Sequence, residues 1–373
     1  MKRFFLFTTF IALLLTNGQA QKNVTALPLD SGVTVKGETF CYMLSTTAFK
    51  VTVDVTKTSE IKGYYADQAQ ALLGLNNVIS ENKTSYHVSN VNIEPVQVPD
   101  EKHAYLVQLS QKQRKANRLT GFSKKKSFAS SFSKNVQQYT TYSEQVPNFF
   151  KNYSNPSFME KEDSFVETKI IDGVVTQVPA NRTTVVSKSS SQKAQEAADA
   201  ISKSHKDQYA LIAGEQETPY TAETMDAMLQ ELKQWEENYL SLFIGIVLED
   251  HLEYTFFVIP AAGASSLPIF ACSPTEGFTT QNIANNSNTY SLSFQPVYQT
   301  AELEQAIKDS QSDKPAKKNG YRFRKAMPVK VALQKQHKNI HEFGIFNMDQ
   351  FGRIQTLPVR QDKTDIQHFG FVF

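Results

Sequence analysis

The sequence predicts an α+β protein, two β-rich lobes with a central antiparallel helical hairpin, and three observations carry that prediction. Two mid-chain stretches hold apolar residues at steps of three and four, the spacing of one helical face. The segments on either side alternate apolar and polar residues, as in Phe49, Val51, Val53 and Val55, which is the period of a half-buried strand. The chain also carries 15 Tyr and 26 Phe against 1 Trp, a composition that suits sheets. Strands, then two helices, then strands is the order of an α+β fold.

The helix that organises the rest runs from Thr221 to Gly245. Its stripe is Met225, Met228, Leu229, Leu232, Trp235, Tyr239, Leu242 and Phe243. Thr221 is a natural N-cap, Glu223 favours the first turn, and Gly245 can adopt the left-handed conformation that closes a helix. Burying such side chains is worth roughly 1.5–3 kcal/mol each before ordering costs, and the entropy of fixing the chain offsets much of it. The stripe therefore needs a partner surface. A second amphipathic helix spans Ser191 to Ala213, with Ala194, Ala197, Ala198, Ile201, Tyr209 and Ile212 on one face and Gly214 at its end. The short link between the two predicts an antiparallel pair.

Before these helices, Val33–Leu44 and Ala48–Thr58 read as two strands, and Tyr64–Leu73 as a short helix ended by Gly74. Ser85–Val98 alternates again, with Pro95 and Pro99 marking its expected end, and His103–Leu109 reads as a further strand. Residues 111–151 change character: nine Lys or Arg face the single acid Glu144, with Phe122, Phe128, Phe132, Tyr139, Tyr142, Phe149 and Phe150 interspersed. Such a stretch is either a solvated excursion whose aromatics dock on the body or a grip on a single-stranded nucleic acid or an anionic glycolipid, and export makes nucleic acid the weaker of those two. From Phe165 to Val178 two strands flank Asp172-Gly173, the preferred residues of a two-residue hairpin turn.

After the helices, strands are expected at Leu252–Ile259, Pro268–Cys272, Thr289–Val297, Tyr321–Leu333, Ile340–Phe346 and Ile354–Val359, with a turn over Asn347–Gly352. Glu302–Asp309 reads as a short helix and Lys314–Gly320 as a basic surface loop. The domain reading is residues 21–185 as an N-terminal β-rich domain, 186–246 as the helical hairpin and 247–373 as a C-terminal β-rich domain.

Residues 1–20 read as a secretory signal peptide: Lys2 and Arg3, an apolar run from Phe4 to Leu15, then Gly18-Gln19-Ala20 before a cut at Gln21. The expected compartment is periplasmic, outer-membrane-associated or extracellular. The net charge of +2 gives no basis for nucleic-acid binding, and none is expected. Cys41 and Cys272 are either a long-range disulfide or two thiols in strand-like surroundings. Asn23, Asn82, Asn152, Asn181 and Asn285 open N-x-S/T sequons, which mark surface loops where that modification operates. The ending His368-Phe369-Gly370-Phe371-Val372-Phe373 has the aromatic terminus of an outer-membrane barrel strand, but the mid-chain helices argue against a barrel.

Chemistry-bearing patterns are few. His337 and His341 have a metal-compatible spacing if helical, with Glu342 beside them, but their flanks read as loop and strand. Glu249, Asp250, His251 and Glu253 cluster acids around a histidine in what reads as a turn. No G-x-S-x-G elbow, phosphate loop or dinucleotide fingerprint is present, and Ala262-Gly263-Ala264-Ser265 is an ordinary small-residue loop. No catalytic, cofactor-binding or metal-ligating residue is assigned from the sequence.

Ala197-Ala198-Asp199-Ala200-Ile201, Ala210 to Glu215, the block Leu229-x-x-Leu232-x-x-x-Glu236-x-x-Tyr239-Leu240-x-Leu242-Phe243-x-Gly245, Tyr42-x-Leu44 and Phe351-Gly352-Arg353-Ile354-x-x-Leu357-Pro358 together resemble a domain-of-unknown-function family of exported proteins from gut Bacteroidetes. The resemblance implies compartment and architecture and brings no activity with it. The expected function is a non-enzymatic binding or envelope-assembly module that meets glycan or an envelope protein. Its alternatives are a hydrolase acting on envelope or dietary glycan or peptide through His251, Glu249 or the His337/His341 pair, and a binder of anionic surfaces through residues 111–151.

Overall fold

The computed structural model describes residues 25–28, 39–108, 122–124, 135–153, 157–171, 174–215, 220–297, 320–357 and 370–372. The chain is β-rich with few helices, an α+β composition. Its strands are β1 (Thr25–Pro28), β2 (Thr39–Ile61), β3 (Lys83–Gln108), β4 (Phe122–Lys124), β5 (Gln137–Ser143), β6 (Phe158–Ile171), β7 (Val174–Ser187), β8 (Ile246–Val258), β9 (Ser266–Ser273), β10 (Gly277–Thr279), β11 (Thr289–Pro296), β12 (Tyr321–Lys335), β13 (Lys338–Leu357) and β14 (Gly370–Val372). The helices are α1 (Ala69–Leu73), α2 (Asn148–Tyr153), α3 (Ser190–Ala213) and α4 (Ala222–Ile244).

Strand β2 is the spine of a seven-stranded sheet. It pairs antiparallel with β3 along its length, and on its other edge with β8 from Phe49 to Ile61 and with β14 at Tyr42 and Met43. A second sheet of five strands runs β10-β9-β11-β12-β13. The alternation read from the sequence decides which side chains lie between them. Phe49, Val51, Val53 and Val55 of β2, Leu252, Tyr254 and Phe256 of β8, Tyr290, Leu292 and Phe294 of β11, and Val329, Val331 and Leu333 of β12 form one buried cluster. Aromatic rings knit it together, with Phe270 stacked on Tyr290 at 4.6 Å and Tyr254 on Phe278 at 4.0 Å between centroids. The β-rich segments before and after the helices thus share a single core.

Several sequence-predicted breaks are absent. Val33–Leu44 and Ala48–Thr58 were expected as two strands, yet β2 runs unbroken through Ser45-Thr46-Thr47. Those three are buried, and Thr47 accounts for its polarity fully: its N–H donates to Gln350 Oε1 at 2.9 Å and its carbonyl accepts from Gln350 Nε2 at 2.8 Å. Pro95 and Pro99 lie inside β3, paired with Phe49 and Ser45. Among the described residues no strand covers the far edge of β3 there, since β1 pairs with Tyr105–Gln108, so the missing N–H costs no ladder bond. The turn expected over Asn347–Gly352 is instead part of β13, paired to β12 across a bulge between Lys325 and Met327. Gly352 sits there because a Cβ would overlap the Lys325 carbonyl. The true turn is Gln336-His337, both at positive φ (50° and 63°). The expected helix at 302–309 and basic loop at 314–319 lie outside the described residues.

Helices α3 and α4 end where expected, and α3 starts one residue before the expected Ser191, behind an N-cap that the sequence reading did not name. Ser189 accepts from the Gln192 N–H while Gln192 Oε1 accepts from the Ser189 N–H, a reciprocal capping box. Thr221 caps α4, and Gly245 follows it at φ 88° and ψ −175°, a glycine conformation but not the left-handed helical one expected for it. The two pack on each other through Ser204 Oγ, which donates to the Leu232 carbonyl at 2.9 Å, and through Glu236, which meets both His205 and Gln208. Only one end of the pair reaches the sheets. Ala194, Ala197, Ala198 and Ile201 join Leu242 and Phe243, Tyr65 and Ala69, and Phe150 of α2 in a second cluster. Further out, the expected burial fails: Trp235 is 56% exposed, and Tyr209 and Ile212 also face out. Among the described residues no sheet lies beneath the outer parts of the helices, and the stripe there meets its partner helix.

Candidate interaction site

The residues singled out for chemistry do not converge. Glu249–Glu253 lie in strand β8, where the sequence suggested a turn. Strand alternation sends Asp250 and His251 to opposite faces. Asp250 receives Lys57 Nζ at 2.9 Å and Ser143 Oγ at 2.6 Å, and these two donors hold its carboxyl below the usual range. His251 meets Thr56 Oγ1 at 3.4 Å and the ring of Tyr142 instead. Ser143 thus donates to the Asp250 carboxylate, while His251 meets Thr56 and Tyr142. His337 occupies the β12–β13 turn, Glu342 pairs with Lys330 at 2.8 Å, and His341 stands edge-on to Phe343. Among the described residues, no group of three His, Cys, Asp or Glu is placed to hold a metal ion. Cys41 and Cys272 are both free thiols, and burial raises the pKa of each.

One polar cluster does assemble, and its work is structural. The pairing of β2 with β3 jumps from Leu44–Asp100 to Met43–Ala104, so Glu101, Lys102 and His103 bulge out. The bulge aims Asp100 at Arg324 of β12, with Arg324 Nη1 2.7 Å from Asp100 Oδ2 and 3.1 Å from the Ser45 carbonyl. His103 Nδ1 lies 2.8 Å from Asp100 Oδ2 and 2.9 Å from Arg324 Nη2. Burial would raise the Asp100 pKa, but the Arg324 and His103 contacts outweigh it and hold the carboxyl below its ordinary value. Beside it, Tyr42 Oη donates to the Arg322 carbonyl at 2.9 Å and accepts from the Arg322 N–H at 2.8 Å. Both contacts tie β2 and β3 of the first sheet to β12 of the second.

A cleft of about 480 Å³ opens where α4 passes into β8, lined by Glu60, Asn77, Ser80, Glu81, Lys83 and Gly245 among others. The ends of β2 and α4 meet tightly beside it: a Cβ on Gly63 would strike the Leu242 carbonyl, and one on Gly245 would strike that of Ile61. The cleft gathers two acids and a lysine without aromatic surface.

The most unusual surface is the β6–β7 hairpin. Only Asp172 and Gly173 separate the two 14-residue strands, as the sequence predicted, but the strands extend well beyond Phe165 and Val178. The pair forms a separate two-stranded sheet, and every side chain from Glu160 to Ile170 is exposed. The register of Phe158 with Ser187 through Ile171 with Val174 assigns alternate side chains to two faces. One face bears Lys161 paired with Asp163 and Lys169 paired with Glu167, with Phe165, 46% exposed, between them. The other bears Phe158, Val166, Ile170 and Val185, from 61% to 75% exposed, with Pro179 among them. Four large apolar groups facing water on one side of a sheet are a binding surface in the making. The hairpin base joins α3 directly: the Lys188 N–H donates to the Ser157 carbonyl at 2.8 Å, and Gln192 Nε2 reaches Met159 Sδ.

Residues 38–366 match the model of the Domain of unknown function (DUF4831). The chain belongs to that family. No curated protein and no solved structure matches it. The DUF4831 match runs from the start of β2 to beyond β13, so spine, hairpin, helices and second sheet all fall within the family's span. Sequence reasoning found the hairpin through its turn and missed its two-faced character. The parity of β6 carries only part of that signal: even positions hold Phe158, Val166 and Ile170 but also Glu160 and Glu162, and odd ones hold Lys161, Asp163, Glu167 and Lys169 but also Met159, Phe165 and Ile171. Of the basic 111–151 stretch, the described part places Phe150 in the helical cluster and leaves Tyr139 and Tyr142 exposed on β5.

Proposed function

We propose that this protein is a non-enzymatic assembly module of the cell envelope, exported after removal of residues 1–20, whose β6–β7 hairpin docks an envelope protein. The observation that carries the reading is the set of four strongly exposed apolar side chains, Phe158, Val166, Ile170 and Val185, on one face of the hairpin, against the two ion pairs and the less exposed Phe165 on the other. A two-stranded sheet gains little stability by itself, so an apolar face of this length is best supported by something that covers it. The apolar face also holds Glu160 and Glu162 and no basic residue, which favours a partner that is apolar with basic flanks and disfavours an anionic lipid surface there. Glycan remains a weaker partner class, because no exposed aromatic lines the cleft at the end of α4.

The test is site-specific photo-cross-linking in cells that make the protein. A photoreactive residue at Ile170 or Val185 is expected to give discrete adducts with another protein, and one at Arg182 on the charged face none. Equal labelling from both faces, or none from either, would overturn the reading.

A further inference from the structure

The hairpin has edges as well as faces, and they differ. Because the Lys188 N–H donates to the Ser157 carbonyl, the 157/188 pair is a hydrogen-bonded one, and odd-numbered β6 residues continue that pattern along the ladder. Even-numbered β6 residues, from Phe158 to Ile170, therefore turn their N–H and C=O groups outward. Their β7 partners do the same on the opposite edge, but there Pro179 has no N–H to offer. The β7 edge is interrupted at its centre, while the β6 edge is open for its whole length, and no described strand pairs with it.

We infer that the β6 edge pairs antiparallel with β6 of a second copy of this chain, about a two-fold axis at Ser164, giving a continuous four-stranded sheet in the order β7-β6-β6-β7. This goes beyond the proposed function, which uses the apolar face and not the edge. The argument is charge complementarity. About Ser164, Lys161 stands opposite the second copy's Glu167, Phe158 opposite its Ile170, Glu160 opposite its Thr168 and Glu162 opposite its Val166. By symmetry each contact occurs twice, and no like charges face each other. The neighbouring registers are penalised. An axis at Asp163 or Glu162 sets that acid against itself. An axis at Phe165 sets Lys161 against Lys169 and Asp163 against Glu167. An axis at Val166 pairs Asp163 with Lys169 but leaves Phe158 to Glu160 without an opposing strand residue. The sequence of β6 thus selects one register, as an evolved strand pairing does and a merely solvated edge has no reason to. The same association brings two copies of Phe158, Val166, Ile170 and Val185 onto one side of a single sheet.

Sedimentation equilibrium on the full chain at micromolar concentration tests this. The expected result is a monomer–dimer equilibrium that Lys161→Glu weakens by at least about tenfold, through repulsion from Glu167, and that Lys161→Glu/Glu167→Lys restores. Under mild oxidation Ser164→Cys is expected to cross-link the dimer, and Thr168→Cys, which faces residue 160, is not. A chain that stays monomeric, a dimer indifferent to Lys161→Glu, or one that cross-links through Thr168→Cys and not Ser164→Cys overturns the inference. A monomeric chain that still gives photo-adducts from Ile170 removes the self-pairing and leaves the proposed function in place.

Discussion

Removing the Asp100 carboxylate offers a sharp test of how the two sheets are held together. Its partner Arg324 has a side chain only 6% exposed, and that of Asp100 is 14% exposed, so neither charge has water enough to replace the other. In Asp100→Asn the guanidinium keeps the Ser45 carbonyl and His103 but loses its counter-charge. Breaking a buried pair from one side costs about 3–5 kcal/mol, and the residual exposure of Asp100 places the expectation near ~3 kcal/mol. Arg324→Met strands the carboxylate instead and is expected to cost a similar amount. Asp100→Leu/Arg324→Met removes both charges and is expected to recover most of the loss, since an apolar replacement of a buried pair is often neutral. Urea unfolding followed by circular dichroism reads this out: ~3 kcal/mol moves the midpoint by ~1 M at a slope of ~3 kcal/mol/M. The pair also sets a pH dependence. The Asp100 pKa is lowered in the fold, so its contribution is present above the unfolded value of ~3.9 and is lost as pH falls through the folded one. Wild type is expected to lose stability in that acid window faster than Asp100→Asn. Single variants within ~0.5 kcal/mol of wild type, or a double variant as unstable as the sum of the singles, would refute the reasoning.

Three further outcomes follow from the packing. Gly245→Ala places a side chain at φ 88° against the Ile61 carbonyl and Ile79, and is expected to lower thermal stability by more than ~2 kcal/mol, whereas Gly214→Ala, at φ 73° with open space around it, is expected to cost only the backbone strain of ~1 kcal/mol. Leu242→Ala, fully buried at the base of α4, is expected to cost ~2–5 kcal/mol, and Trp235→Ala, mostly exposed, less than ~1 kcal/mol; chemical denaturation compares them directly. Burial pushes the Tyr153 pKa up to about 12 and that of Tyr65 higher still, so the helical cluster is favoured below the ordinary tyrosine value of ~10 and weakens as pH rises through the folded values. Far-ultraviolet circular dichroism across the alkaline range is expected to show helix loss there, shifted upward in Tyr153→Phe.

Local information was enough for the elements whose signals are themselves local. Thr221, Gly245 and Gly214 delimit the helices because capping uses neighbouring backbone groups, and Asp172-Gly173 marks the hairpin because a two-residue turn restricts residue type. Alternation identified Phe49, Val51, Val53 and Val55 as inward-facing because the strand period is fixed by backbone geometry. The same reasoning misplaced Ser45-Thr46-Thr47, Pro95 and Asn347–Gly352, which carry break signals that distant residues neutralise. Gln350 satisfies Thr47, an open edge tolerates Pro95, and a bulge at Lys325 carries β13 past its expected turn.

The sequence by itself determined most helix ends, the hairpin turn and the inward faces of the core strands, since each depends on residues close together in the chain. Only the tertiary structure decided that both β-rich segments share one core, that Asp100 meets Arg324, and that the helical stripe and the apolar face of the hairpin run out beyond the sheets. Those outcomes rest on pairings between residues hundreds of positions apart, such as Tyr42 with Arg322, and the free energy of a long-range contact leaves no mark on the spacing of either partner's neighbours.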